Sequence, residues 1–203
     1  MQLKHIAFLT LSAVSTFAMA EGFDVVVVGS GGAGLSSAIT AKESGATVVV
    51  LEKMAYIGGN SNFASGGMNA AGTKQQLAAG VTQDSPELFY KDTMKGGHNL
   101  NNPALLKTLT ENAKYAEEWL VDLGAKFCFR KGRGGGQSIA RGHGPCDGSA
   151  VGPEILRVLT ERAAKDGIAI RTENQVVKIV MKNGAVAGVE VKTEDGVKTI
   201  DAR

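Results

Sequence analysis

Phe23-Asp24-Val25-Val26-Val27-Val28-Gly29-Ser30-Gly31-Gly32-Ala33-Gly34 is the stretch that decides the fold. The β-branched run up to Val28 is apolar on both faces, as a central parallel strand requires. It enters a glycine turn and then a helical stretch from Leu35 to Ser44, which Gly45 stops. Thr47-Val48-Val49-Val50-Leu51 is a second buried strand, and it ends on Glu52. The glycines differ in what they permit. Gly29 allows the tight turn, Gly31 lets a pyrophosphate reach the backbone, and Gly34 lets helix and strand pack closely. The helix start around Gly32 and Ala33 offers free N–H groups and the positive end of a dipole to phosphates. Glu52 lies 18 residues after Gly34 and is placed to accept hydrogen bonds from a ribose diol. Strand, turn, helix and acid together predict a Rossmann-like α/β domain that binds a dinucleotide.

The loop after Glu52 separates the possible dinucleotides. Lys53 is followed by Gly58-Gly59-Asn60-Ser61 and then by Ser65-Gly66-Gly67-Met68-Asn69-Ala70. Two more glycine pairs suit a flat ring system laid against backbone amides beyond the pyrophosphate; a glycine-rich lid without structure is the plainer reading.

Composition supports a soluble globular chain. Of 203 residues, 43% are hydrophobic and 21% charged, and 27 are glycine without a collagen period. Lys+Arg number 22 against 20 Asp+Glu, so the chain lacks the basic excess that nucleic-acid backbones or anionic lipid attract. Residues 1–20 have the three-part build of a secretory leader: Lys4, an apolar core over Ile6–Phe17, and Ala18-Met19-Ala20 before Glu21. The apolar core is shorter than the roughly 20 residues of a membrane span. The expectation is cleavage after Ala20, a periplasmic protein, and one domain over residues 21–203. Cys128 and Cys146 fit neither a C-x-x-C pair nor a haem motif, and two separate thiols are expected in preference to a bridge. His5, His98 and His143 make no metal-ligand pattern.

Further along, Ser85 or Asp84 caps a helix beginning at Pro86, and Asn102 caps another that runs from Pro103 to about Leu123. Leu105, Leu106, Leu109, Ala113, Ala116 and Leu120 have helical spacing and read as core, as does Trp119. A third helix spans Pro153–Lys165. Strands at Ile168–Ile170, Val176–Met181, Ala185–Lys192 and Lys198–Ile200 turn at Asn183-Gly184 and Asp195-Gly196, a β-meander. Residues 130–149 are the least regular, with Arg130, Lys131, Arg133 and Arg141 in a glycine-rich loop that could hold an anion or be a solvated basic loop.

These motifs over residues 23–203 resemble the FAD domain of fumarate reductase flavoproteins, above all the soluble periplasmic branch that includes flavocytochrome c and urocanate reductases. The resemblance implies FAD as cofactor, with Gly29, Gly31, Gly32, Ala33 and Gly34 at the pyrophosphate and Glu52 and Lys53 at the adenosine ribose. It further implies that Gly58, Gly59, Asn60 and Ser61 wrap the cofactor and that Ser65, Gly66 and Gly67 border the isoalloxazine. A backbone contact to adenine falls at Val176. Arg141 and His143 match a substrate-side R-x-H-R-P pattern, although Gly144 replaces its second arginine and Lys131–Arg133 stand where methionines lie in the family.

The implied chemistry is oxidoreduction in anaerobic respiration. Hydride passes from flavin to a small unsaturated carboxylate, and the electron donor is an external protein such as a cytochrome. The proton-donating arginine belongs to a capping domain that this sequence lacks. No catalytic residue is therefore expected in the chain, which reads as an N-terminal, truncated part of the parent enzyme. Two other readings stand beside it: a non-catalytic FAD-binding module, and an NAD-dependent dehydrogenase.

Overall fold

The computed structural model describes residues 21–203, so the expected leader and its cleavage site lie outside the described residues. The elements, in order, are strands β1 (Gly22–Phe23) and β2 (Val25–Val28), helix α1 (Gly32–Glu43), β3 (Val48–Leu51), a 3-10 turn (Gly59–Phe63), β4 (Met68–Asn69) and α2 (Lys74–Ala78). Then come α3 (Pro86–Gly96), α4 (Pro103–Asp122), β5 (Phe127–Arg130), β6 (Gly142–Pro145), α5 (Val151–Lys165), β7 (Ala169–Arg171), β8 (Gln175–Lys182), β9 (Ala185–Thr193) and β10 (Gly196–Ala202).

They form three sheets. The parallel sheet runs β2-β3-β7, the meander β1-β10-β9-β8, and a small antiparallel sheet β4-β6-β5. The expected βαβ unit is present, with Val25 to Val28 paired in register with Val48 to Leu51. The first strand is not the central one, however. β3 occupies the middle and all four of its residues are buried, whereas β2 lies at the edge of the described sheet with Val28 60% exposed. A four-valine run has the same composition at either place, because burial depends on which strands pair beside it.

β3 joins two cores through its alternating faces. Val48 and Val50 pack with Leu35, Ile39, Leu156 and Leu159 of α1 and α5. Val49 and Leu51 face Val189, Val191 and Ile200 of the meander. A third cluster, Ala70, Ala71, Phe89 and Ala113, joins the loop after β4 to α3 and α4.

The expected caps are observed: Ser85 Oγ accepts from Leu88 N–H, and Asn102 Oδ1 accepts from Ala104 and Leu105 N–H. The hairpin at Asn183-Gly184 has positive φ at both residues (52° and 80°), the geometry such a turn requires. Helix α4 corrects the sequence reading. Its buried stripe is Leu106, Thr110, Ala113, Glu117 and Leu120, while Leu105 and Leu109 are 70% and 54% exposed. Both stripes have helical spacing, and only the one facing α3 and α5 is covered. Trp119 packs against the main core, as expected.

Glu117 is a carboxyl on this covered stripe. Burial pushes its pKa up to about 7 and Glu118 adds to the shift, with Lys74 opposing. Its Oε1 has no hydrogen-bond partner, so no hydrogen bond at that atom offsets the cost of burying its charge. The folded chain thus holds a proton that the unfolded chain releases above 4.5. Stability is expected to fall as pH rises from 4.5 toward about 7, by up to about 1.4 kcal/mol per pH unit, and then to level. Glu117→Gln should flatten that slope in urea titrations; an unaltered slope would place the titration elsewhere.

The cysteines are the second correction. Cys128 and Cys146 form a disulfide with Cα atoms 4.9 Å apart. They are 18 residues apart in sequence, but antiparallel pairing of β5 with β6 places Cys128 opposite Gly144 and brings Cys146 alongside. The stretch read as irregular therefore contains β6, flanked by the loop of residues 131–141.

Candidate functional site: a dinucleotide cleft at the end of the parallel sheet

A cleft of about 790 Å³ opens at the C-terminal ends of β2 and β3. This is the place where parallel α/β sheets leave a crevice for ligands. Gly29, Gly31, Gly32, Ala33, Glu52, Lys53, Gly58, Gly59, Asn60, Ser61 and Val176 all line it. Sequences from three separate segments, residues 28–33, 51–61 and 174–176, thereby meet around one space.

One end is electropositive. Helix α1 starts at the cleft with Gly31 as N-cap, with no side-chain cap and no acidic residue in its first turn, so its dipole is not offset. Gly32 N–H donates to Ser61 Oγ at 3.0 Å. A Cβ added at Gly31 would meet only Ser61 Oγ at 3.4 Å and Gly58 O at 3.7 Å. The open backbone at Gly31 and Gly32 is a cradle that side chains would fill, and it fits a diphosphate. Gly34 does not line the cleft. Its Cβ would fall 2.0 Å from Gly29 O, so its role is the close packing of α1 on the turn.

The other end is anionic. Glu52 is 5% exposed, and its Oε2 accepts from Ser30 N–H at 2.9 Å and Ser30 O–H at 2.7 Å. Its Oε1 accepts from Met54 N–H at 2.9 Å. Burial raises its pKa, but the hydrogen bonds from Met54, Ser30 and Lys53 outweigh this and hold it below the usual carboxylate range. Glu52 is therefore ionised at neutral pH, and Oε1 keeps acceptor capacity for a ribose hydroxyl.

Ser30, buried and between two glycines, is the residue sequence reasoning missed. Its O–H donates to Glu52 while its oxygen accepts from Gly58 N–H at 3.0 Å, so it fastens the phosphate turn to both the acid and the following loop. Asn174 and Gln175 were also missed. They reach the cleft because Asn174 N–H donates to Glu52 O at 2.8 Å and Glu173 N–H to Met54 O at 3.1 Å. Such cross-chain backbone contacts have no signature in residue type.

Because Glu52 both fastens the turn and faces the cleft, Glu52→Ala is expected to weaken FAD binding by roughly 1–3 kcal/mol and to lower stability as well. Fluorescence titration and urea denaturation of one preparation check both. An affinity equal to wild type would exclude the ribose role.

The remaining expected site residues lie outside the cleft lining. Ser65, Gly66 and Gly67 precede β4, and a Cβ at Gly67 would come within 2.9 Å of His143 O, so this stretch lies flush on β6. Arg141 and His143 are fully buried. Arg141 donates to both oxygens of Asp84 (2.7–3.0 Å), to Asp92 at 2.6 Å and to Gln137 at 2.5 Å, and its guanidinium lies 5.1 Å from the Phe89 ring centre. His143 Nε2 is 2.8 Å from Thr73 Oγ1, and burial pushes its pKa down, leaving a neutral ring. Neither side chain is presented to solvent or to the cleft. In this structure Arg141 braces the α2–α3 connection and α3 against the loop before β6, and His143 of β6 sits against the residue that caps α2.

The comparisons with known proteins agree with this geometry. The FAD binding domain family matches residues 24–203. The NADH:fumarate oxidoreductase of Klebsiella pneumoniae (strain 342) is 49% identical over 86% of this chain and 19% of its own length. The Fumarate reductase (cytochrome) of Shewanella frigidimarina is 47% identical over 83% of this chain and 29% of its own. The solved structure of a flavocytochrome c3 fumarate reductase in its open conformation superposes with a TM-score of 0.85 and 39% identity, covering 91% of this chain and 33% of that one. The chain thus spans about a fifth to a third of the length of these relatives. Its cofactor is FAD. By the match over residues 24–203 and these likenesses, the chain belongs to the family of FAD-binding domains, of the kind that fumarate reductase flavoproteins carry.

Proposed function

We propose that the protein is an FAD-dependent oxidoreductase that reduces a small α,β-unsaturated carboxylate, fumarate or a relative, and that this chain supplies its dinucleotide-binding part. The observation that carries the reading is the cleft with the start of α1, free of acidic residues in its first turn, at one end and the ionised Glu52 at the other. The names of relatives at 47–49% identity supply the reaction class.

In this reading Gly29, Gly31, Gly32 and Ala33 hold the pyrophosphate, Glu52 and Lys53 the ribose, and the Val176 backbone the adenine. Gly58, Gly59, Asn60 and Ser61 close over the cofactor. Ser65, Gly66 and Gly67 lie along the flavin ring, and an added Cβ at Gly66 would meet nothing within 4 Å, leaving that surface open. FAD, when bound, supplies the hydride chemistry. The residues of this chain bind, orient and shield it, and the proton-donating group belongs to a further part of the protein. Arg141 and His143 act as scaffold, which also favours a second reading: a segment that binds FAD without contributing substrate-binding cations.

The electron donor is proposed to be an external redox protein, in keeping with the cytochrome in a relative's name. Export through a leader at residues 1–20 is proposed with it. Among the described residues no helix is long and apolar enough to cross a membrane.

The test has two stages. Purified protein should retain stoichiometric FAD through gel filtration, and the whole polypeptide should oxidise a reduced viologen dye only when an unsaturated dicarboxylate is added. Failure to retain flavin would sink the cleft assignment. Retention without turnover on any such acid would leave the binding-module reading.

A further inference from the structure

Strand β6 reads Gly142-His143-Gly144-Pro145, and its alternation puts the two glycines on one face and His143 on the other. The glycine face is a channel filled by a neighbour. Arg130, at the end of β5, lies across it. A Cβ at Gly142 would meet Arg130 Cβ at 3.5 Å, and one at Gly144 would lie 2.6 Å from the Arg130 Nη2 and 3.0 Å from its Nε. At the far end the guanidinium donates to Gly66 O and to Ser149 O, both at 3.3 Å. Its hydrogen-bond partners are both carbonyls, and among the described residues no carboxylate pairs with it, so its charge is not neutralised. The disulfide Cys128–Cys146 ties the two strands two residues away from this seat on either side.

We infer that Arg130, seated over Gly142 and Gly144, is a positioning residue that fixes the Gly66 carbonyl and holds an unpaired cation beside the flavin ring, raising the ring's reduction potential. The inference rests on the reading above that Gly66 borders the ring. Gly66 is held from one side by Arg130 and is open on the other. A ring that gains negative charge on reduction is stabilised in its reduced form by a nearby cation. A Cβ at residue 144 would displace the guanidinium from this seat.

The experiment measures the FAD dissociation constant by fluorescence titration and the midpoint potential by spectroelectrochemistry, on the whole polypeptide and on R130Q, R130K and G144A. R130Q is expected to bind FAD about tenfold more weakly, because the Gly66 carbonyl is no longer held by a charged donor, and to shift the midpoint to more negative potential. R130K keeps the charge and should hold the midpoint nearer to wild type while losing affinity, since an ammonium cannot bridge two carbonyls in fork geometry. G144A should copy the affinity loss without removing any charge. If wild type binds FAD and R130Q matches it in both affinity and midpoint, the inference is overturned while the cleft assignment stands. If wild type binds no FAD, the cleft assignment falls and takes this one with it. Should R130Q fail to fold, R130K decides alone: weaker binding with a retained midpoint supports the role, and no change in either removes it.

Discussion

Gly34→Ala is expected to disrupt the fold, and Gly31→Val to leave the fold intact while abolishing flavin retention. The two glycines are three residues apart in one turn, yet their surroundings differ. A Cβ at Gly34 would sit 2.0 Å from Gly29 O and 3.0 Å from Gly29 C, both backbone atoms that cannot rotate away. Gly29 itself is held at φ 96° and its N–H donates to Leu51 O at 2.8 Å, so the turn cannot yield without releasing β3. The cost is about 3 kcal/mol or more, at the upper end for overpacking. At Gly31 the nearest atom to an added Cβ is the rotatable Ser61 Oγ at 3.4 Å, an ordinary contact. A valine there projects into the phosphate cradle and denies the diphosphate its approach to backbone N–H groups. Thermal melts and flavin content of both variants are the measurements. A Gly31→Val protein with full flavin content would show that the dinucleotide lies elsewhere.

Arg141→Met is expected to destabilise the protein by about 3–5 kcal/mol, because it strands two carboxylates in the interior. Asp84 and Asp92 are 1% and 12% exposed at their side chains, and Arg141 is fully covered. At Asp92, burial raises the pKa, but hydrogen bonds from Ser138 and Arg141 and the charge of Arg141 prevail and hold it below its ordinary 3.8. That contribution is present above 3.8 and is lost as pH falls through the lowered folded value. In the variant Asp92 loses the cation that helps hold its pKa down, so the gap to wild type should narrow on acidification. Urea denaturation at several pH values reads this directly. A loss under about 1 kcal/mol at neutral pH would mean that the brace holds little of the structure.

Much of the cleft was legible in the sequence because its determinants are local. A β-branched run, a turn in which only glycine fits and an acid at the end of the next strand are each fixed by near neighbours, so Val25–Val28, Gly29–Gly34 and Glu52 could be read in order. The hairpin at Asn183-Gly184 and the caps at Ser85 and Asn102 belong to the same kind. Ser30 carried no such signal, since a serine between glycines is as compatible with a solvated turn as with the clamp between Glu52 and Gly58.

What the sequence by itself determined is the βαβ unit, the glycine turn after its first strand and the acid at the end of its second, all consequences of backbone sterics and strand period. The tertiary structure alone decided which strand is central, which stripe of α4 is buried, that Cys128 meets Cys146, and that Arg141 faces Asp84 and Asp92. Those four depend on contacts between segments from 18 to more than 50 residues apart or on the packing of whole elements. Residue type sets what a side chain can pair with, and only the assembled fold sets which partner reaches it.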